Sequence, residues 1–389
     1  MIAPVPALYR RAILAACAGL TLTLAAPLTQ AADAIRITSI QELSGTGATA
    51  GTNFKNGMAL AIKEIIASGG VLGQKIDATF ADTQSNPGVA KGLAQKAVDD
   101  DVFAVFGPGF SGSILVSMSE TRRAKIPNFT GGEAASVTLQ GNPYVFRTSF
   151  GQQTSMPKAA RYMVQNLKAK TVAVIYVNND FGKGGRDMIT KYLDAMGAKV
   201  VADISTDPGK LDFSAPVLQA KQSNADVIFV YTNEEEAARC LRELKKQGVT
   251  KPIFGETVLT GQKVIELAGD AANGAQAHIG LSVDAPVPTM RAFRARFEKA
   301  FGYIPDHNGI KGYTSVYVMK AGIEKVGKVD RAAFAKAMQG LSVSAAKHPG
   351  VLMDVSYNDK GDLDRESFIV EVRNGKQEVK EVLPALSKK

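Results

Sequence analysis

The chain has 389 residues, a formal net charge of +9, 45% hydrophobic residues, two cysteines and no tryptophan. Its basic residues are interspersed with acids, as in Glu234-Glu235-Glu236 followed by Arg239, Arg242, Lys245 and Lys246, and no basic run interleaves with aromatics. That pattern is a mildly basic solvated surface and argues against nucleic-acid binding.

The first 31 residues read as a cleaved signal peptide. Arg10 and Arg11 form a positive segment, Ala12 to Leu28 is almost wholly apolar, and Thr29-Gln30-Ala31 supplies small residues for cleavage. Two variants of this leader are weighed against it. Leu14-Ala15-Ala16-Cys17 resembles a lipoprotein box, but the apolar run continues past it. Arg10-Arg11 loosely resembles a twin-arginine signal, which changes the export route and not the destination. Loss of the leader leaves Cys240 as the only cysteine, so no internal disulfide is expected. The remaining length exceeds what one core usually serves, and two domains are expected.

Strand-like and helix-like stretches then alternate, the pattern of parallel sheets covered by helices. Strands are expected at 35–43, 75–82, 102–107 and 126–130. Between them Phe54, Met58, Ile62 and Ile65 recur at helical spacing, and Asn86-Pro87 caps and opens a second helix. A similar series follows: strands at 171–177, 199–204 and 226–231, helices at about 184–196 and 212–222. Further helices are expected at 290–301, 309–326 and 331–340, and a strand near 274–283. FIVEVRNG and QEVKEVL close the chain as a hairpin turned by Asn374-Gly375.

Gly107-Pro-Gly109-Phe-Ser-Gly112 satisfies the glycine pattern of dinucleotide sites. Two strand–helix units precede it, however, and Pro108 removes a donor, so a nucleotide fits poorly. A tight turn that binds nothing is the plain alternative. The favoured reading is an anion site, since Ser111, Gly112 and Ser113 start a helix whose first amides lack partners. Gly131-Gly132-Glu133-Ala134 forms a second turn after the next strand, at the carboxyl edge of the sheet where ligands lodge. No catalytic nucleophile, no metal cluster and no cofactor site is read: His278, His307 and His348 are dispersed, and Ser111 is not in a G-x-S-x-G elbow. An enzyme is therefore not expected.

Several motifs in order carry a family resemblance: LSGTG (43–47), NFKNG (53–57), GGVLG (69–73), DTQSNP (82–87), VFGPGFSGS (105–113), YVFRT (144–148), DFGKG (180–184), DFS (212–214) and NDKGD (358–362). From Ile35 to about Leu383 the chain resembles the periplasmic leucine/isoleucine/valine-binding proteins, the type I solute receptors of ABC importers. The resemblance implies an α/β fold of two lobes, each a parallel sheet flanked by helices, with multiple hinge crossovers. It suggests lobe 1 at 32–149, lobe 2 at 150–278, a return to lobe 1 at 279–355, and completion of lobe 2 at 356–389. It also implies a periplasmic monomer that captures a small solute by hinge closure and delivers it to an inner-membrane permease and its ATPase. A periplasmic sensor of the same fold is the alternative use.

For the ligand site the resemblance implies a carboxylate held at Ser111 and Gly112, with the grip completed by Gly131, Gly132, Glu133 and Ala134. It implies an ammonium partner at Glu256 and ligand cover from Phe181; Glu133 and Glu234 are the next acids for the ammonium, and Asn233 is a further ligand-binding candidate. An amino acid of the branched-chain class is the expected solute. The chain departs from the pattern at the 131–134 turn, which lacks a threonine, and near Ala50 and Asn233, where tyrosines are absent. Those departures keep aromatic or aliphatic carboxylates and amides open as ligands.

Overall fold

The computed structural model describes residues 34–385. The leader at 1–31, with its lipoprotein and twin-arginine variants, lies outside the described residues.

The first sheet has five parallel strands, in the order Ile76–Asp82, Ile35–Gln41, Ala104–Phe106, Asn128–Thr130, Val145–Arg147. Alternate residues feed opposite layers, as the period of two requires. Ile37, Phe106 and Phe129 join Phe54, Met58 and Ile65 of the helix Ala48–Ala67 on one face. Ile40 and Val105 meet Ala94 and Ala97 of the helix Pro87–Asp99 on the other. Covering on both faces is why the central strand Ala104–Phe106 reads as a continuous apolar run. The second helix starts where its sequence says: the Asn86 side chain accepts from the amides of Gly88 and Val89, and Pro87 occupies the first turn.

The helix His307–Val326 lies against Ala48–Ala67 with almost no space between backbones. A Cβ on Gly312 would stand 2.0 Å from the Phe54 carbonyl oxygen, and one on Gly57 2.0 Å from that of Gly309. Because the obstacle is backbone, Gly312→Ala is expected to destabilise by about 1–3 kcal/mol. A chemical-denaturation midpoint that does not move would contradict this packing.

The second sheet has seven strands in the order Lys376–Leu383, Ser367–Arg373, Gln276–Ile279, Ile253–Glu256, Val227–Tyr231, Thr171–Val177, Lys199–Thr206. The last five run parallel, and the terminal hairpin adds antiparallel to Gln276–Ile279. Its turn has Asn374 at φ 49° and Gly375 at φ 75°, the left-handed pair that an Asn-Gly turn supplies. Cys240 is buried and unpaired in this lobe's core.

The chain crosses between the lobes after Arg147, around Gly280 and around Arg365, as a two-lobed fold with several hinge crossovers requires. One stretch differs from the sequence expectation. Residues 356–364, expected with the second lobe, fall in a small sheet in which Val355–Tyr357 pairs with Ser342–Val343 and Leu363–Asp364 pairs with Val355–Tyr357, and the Gly361 carbonyl accepts the Arg147 amide at 2.9 Å. A two-residue strand and a glycine turn leave no sequence signal of which sheet they join.

Candidate functional site

The loop after Ala104–Phe106 is already partly filled by the protein itself. Glu42, at the end of the first strand, accepts from the amides of Gly109 and Phe110 at 2.9 and 3.1 Å. Burial pushes its carboxyl pKa up, and those two amides oppose the rise. The donors left for a ligand begin one residue later. Ser111, Gly112 and Ser113 form the first turn of the helix Ser111–Arg123, where the helix itself offers their amides no acceptor. The Ser111 hydroxyl accepts from the Ala134 amide at 3.2 Å, so its own proton remains free to donate.

That bond joins the two turns singled out in the sequence. A Cβ on Gly132 would lie 2.9 Å from Ser111 Oγ and 2.5 Å from Ile114 Cδ1, so any side chain there would have to displace both. Ala134 is buried beneath and does not line the cleft. The second turn is held from behind by Arg147, which is fully buried. Its Nη1 donates to the Gly132 carbonyl at 2.6 Å, its Nη2 to that of Ala134 at 2.7 Å, and its Nε to Asp362 at 2.6 Å. With both carbonyls tied back, the Glu133 side chain faces forward into the cleft.

The second lobe closes over this corner. Phe181, in the first turn of the helix Asp180–Ala195, stacks on Tyr231 with ring centroids 4.1 Å apart. Tyr231 reaches across the lobes to donate to Glu133 Oε2 at 3.1 Å, and Gln152 ties Tyr231 to the Phe181 carbonyl. A Cβ on Gly112 would sit 3.0 Å from Asp180 Oδ2, which leaves little space between the lobes here. Asn233 precedes the helix Glu234–Lys246, and its amide donates to Glu236 at 3.0 Å. Between the lobes lies a cavity of about 320 Å³ lined by Ser111, Gly112, Gly131, Gly132, Glu133, Phe181, Asn233 and Glu234. Phe54, Phe110 and Val258 add apolar wall, and Glu42, Asp180, His307 and Lys311 are among the further charged and polar residues of the lining.

Glu256 is placed elsewhere. Its carboxylate lies 2.8 Å from His278 Nδ1 and takes the Thr257 amide, in a buried pair outside the cavity lining. The acids that face the cavity from burial are Glu42, Glu133 and Glu234. Glu133 is pushed up to about 8 by burial and by the charge of Glu256, against the pull of Lys311 and the Tyr231 hydroxyl. Glu234 is pushed up to about 7 by burial and then by Asp306. Among the described residues no other residue hydrogen-bonds the Glu234 carboxylate, although Glu234 is only 6% exposed. Sequence reasoning missed Glu42, Lys311, Tyr231 and Arg147. Arg147 stood within a quoted motif, but nothing in the string said that its guanidinium points at the backbone of another turn.

A family model described as periplasmic binding protein matches residues 34–377. The Leu/Ile/Val-binding protein BraC3 of Rhizobium johnstonii is 31% identical over 355 residues, covering 90% of this chain and 95% of that protein. The leucine-, isoleucine-, valine-, threonine- and alanine-binding protein of Pseudomonas aeruginosa is 25% identical over 349 residues, covering 89% and 91%. Among solved structures, the isoleucine complex of the substrate-binding protein LivJ from Streptococcus pneumoniae superposes with a TM-score of 0.81 at 24% identity, covering 90% of this chain and all of that one. A benzoate complex of an R. palustris solute-binding protein gives a TM-score of 0.83 at 21% identity, covering 91% and 98%. The chain therefore belongs to the periplasmic binding protein family, in the group of the leucine/isoleucine/valine-binding proteins, and has the type I two-lobed fold.

Proposed function

We propose that this protein is the periplasmic solute-binding component of an ABC importer and that its solute is an α-amino acid, the branched-chain class foremost. It binds and releases the solute unchanged, acting as a receptor and not as an enzyme. Ser111 and Gly112 hold the carboxylate, and Glu234 takes the ammonium. The observation that carries this reading is Glu234 itself: a buried carboxylate that, among the described residues, is bonded only by its own backbone amide and has no ion-pair partner, facing the same cavity as the open amides of the helix Ser111–Arg123. An unpaired buried charge is costly, and a ligand ammonium relieves that cost. Ligand can drive closure only by binding the closed form better, which here requires Phe181, Asn233 and Glu234 of the second lobe. An inner-membrane permease with its ATPase would recognise that closed form.

A second reading rests on the same acids. Glu133 at about 8 and Glu234 at about 7 carry protons near neutrality, and protonated carboxyls can donate to an aromatic carboxylate. A thermal-shift panel separates the two. The common L-amino acids, their deaminated counterparts and a set of benzoates are compared at equal concentration. One or more amino acids should stabilise the protein, by about 2.7 kcal/mol at a hundred times Kd, while their deaminated counterparts do not. A benzoate or deaminated acid as the best ligand would replace the amino-acid reading with the second one.

A further inference from the structure

We infer that Lys311 is the cation that holds the solute's carboxylate, beside the amides of Ser111 and Gly112; this rests on the reading above that the solute carries one. Lys311 lies in the first turns of the helix His307–Val326, is 4% exposed and lines the cleft with those residues. Its three N–H donors have only distant acceptors: the Gly131 carbonyl at 3.5 Å and Glu133 Oε1 at 3.8 Å. A charge-assisted bond normally closes to about 2.7–2.9 Å. Three other buried cations in the described residues are bonded more closely: Arg147 to Asp362 at 2.6 Å, Lys158 to Ser367 at 2.9 Å, Arg365 to the Thr148 carbonyl at 3.2 Å.

The neighbours do not supply the missing anion. Glu133 is raised to about 8, and its second oxygen takes the Tyr231 hydroxyl. Asp306 accepts the amides of Asn308 and Gly309. His307 is held neutral, its pKa pushed far down by burial and by Lys311 itself. Glu234 forms no ion pair with Lys311 within 4.0 Å. Gly131, the nearest acceptor, adjoins Gly132, which packs on Ser111. The ammonium and the helix amides thus converge on one corner, and a carboxylate placed there satisfies both.

The competing role for Lys311 is to brace the 131–134 turn and offset Glu133. Calorimetric affinities for L-leucine against L-leucinamide, and for benzoate against benzamide, decide between them. The unmodified protein should prefer acid over amide, and Lys311→Gln should shrink that preference by about one to two decades. Loss of acid and amide binding in equal measure, with the preference intact, would overturn the assignment. If the single variant fails to fold, Lys311→Gln/Glu133→Gln removes the buried ammonium and the neighbouring carboxyl together. That protein should show no preference for acid over amide if Lys311 holds the carboxylate, and should keep the preference of the unmodified protein if Lys311 only offsets Glu133. Binding of neither L-leucine nor benzoate to the unmodified protein would count against the carboxylate-solute reading and the assignment together.

Discussion

Replacing Arg147 by methionine is expected to lower stability by about 3–5 kcal/mol, the usual cost of leaving a buried charge without its partner. Methionine fills much of the same volume, so the loss comes from polar groups left unpaired. Asp362 would keep only the Thr138 hydroxyl at 2.7 Å. The Gly132 carbonyl would lose its guanidinium donor, and the Ala134 carbonyl would keep only the Val137 amide at 3.1 Å. The 131–134 turn would then lose its anchor, and solute affinity should fall beyond what stability alone explains. Changing Asp362 to leucine in the same protein should recover part of the stability, because both charges are then gone. Urea unfolding of the single and double variants measures this. A single variant within about 1 kcal/mol of the parent, on the usual scale of surface changes, would show that the guanidinium is not holding the turn.

Glu234→Gln is the second large effect, and it separates binding from folding. In the empty protein the buried carboxylate has no ion-pair partner among the described residues and only its own amide as a donor, so neutralising it should leave stability unchanged or slightly raised. With an amino acid bound, the same change removes the ammonium's counter-charge, and affinity should fall by about two to three decades. The matching deaminated acid should bind as before or better. Glu256→Gln, by contrast, acts on the pair with His278 and is expected to alter stability more than ligand choice. Calorimetric titration of each variant with the panel's best amino acid reads both effects. Undiminished binding to Glu234→Gln would reassign the ammonium site.

The order of strands and helices was legible because central parallel strands such as Thr171–Val177 and Val227–Tyr231 are short apolar runs, and because some helices carry a start signal, as at Asn86-Pro87. Ser111 was legible for the same local reason: a strand, a glycine turn and a helix start are consecutive in the chain. The pairings were not. Glu42 reaches its amides across 67 residues, Arg147 meets Asp362 across 215, and Lys311 approaches Gly131 across 180. Those separations follow from crossovers between sheets, which leave no trace in composition or spacing. Glu256 shows the reverse: its position after a second-lobe strand was read from sequence, but His278 on the neighbouring strand takes its carboxylate.

The most direct test of the account is the affinity of the unmodified protein for its best amino acid between pH 5.5 and 7.5. Glu234 in the empty cleft is pushed up to about 7, so below that pH it binds a proton that an arriving ammonium must displace. Affinity should therefore rise with pH, by up to about tenfold per unit below 7 and little above it, as proton linkage requires. Glu234→Gln should flatten the profile. An affinity that stays level or falls across this range would contradict capture of an ammonium by the cleft acids.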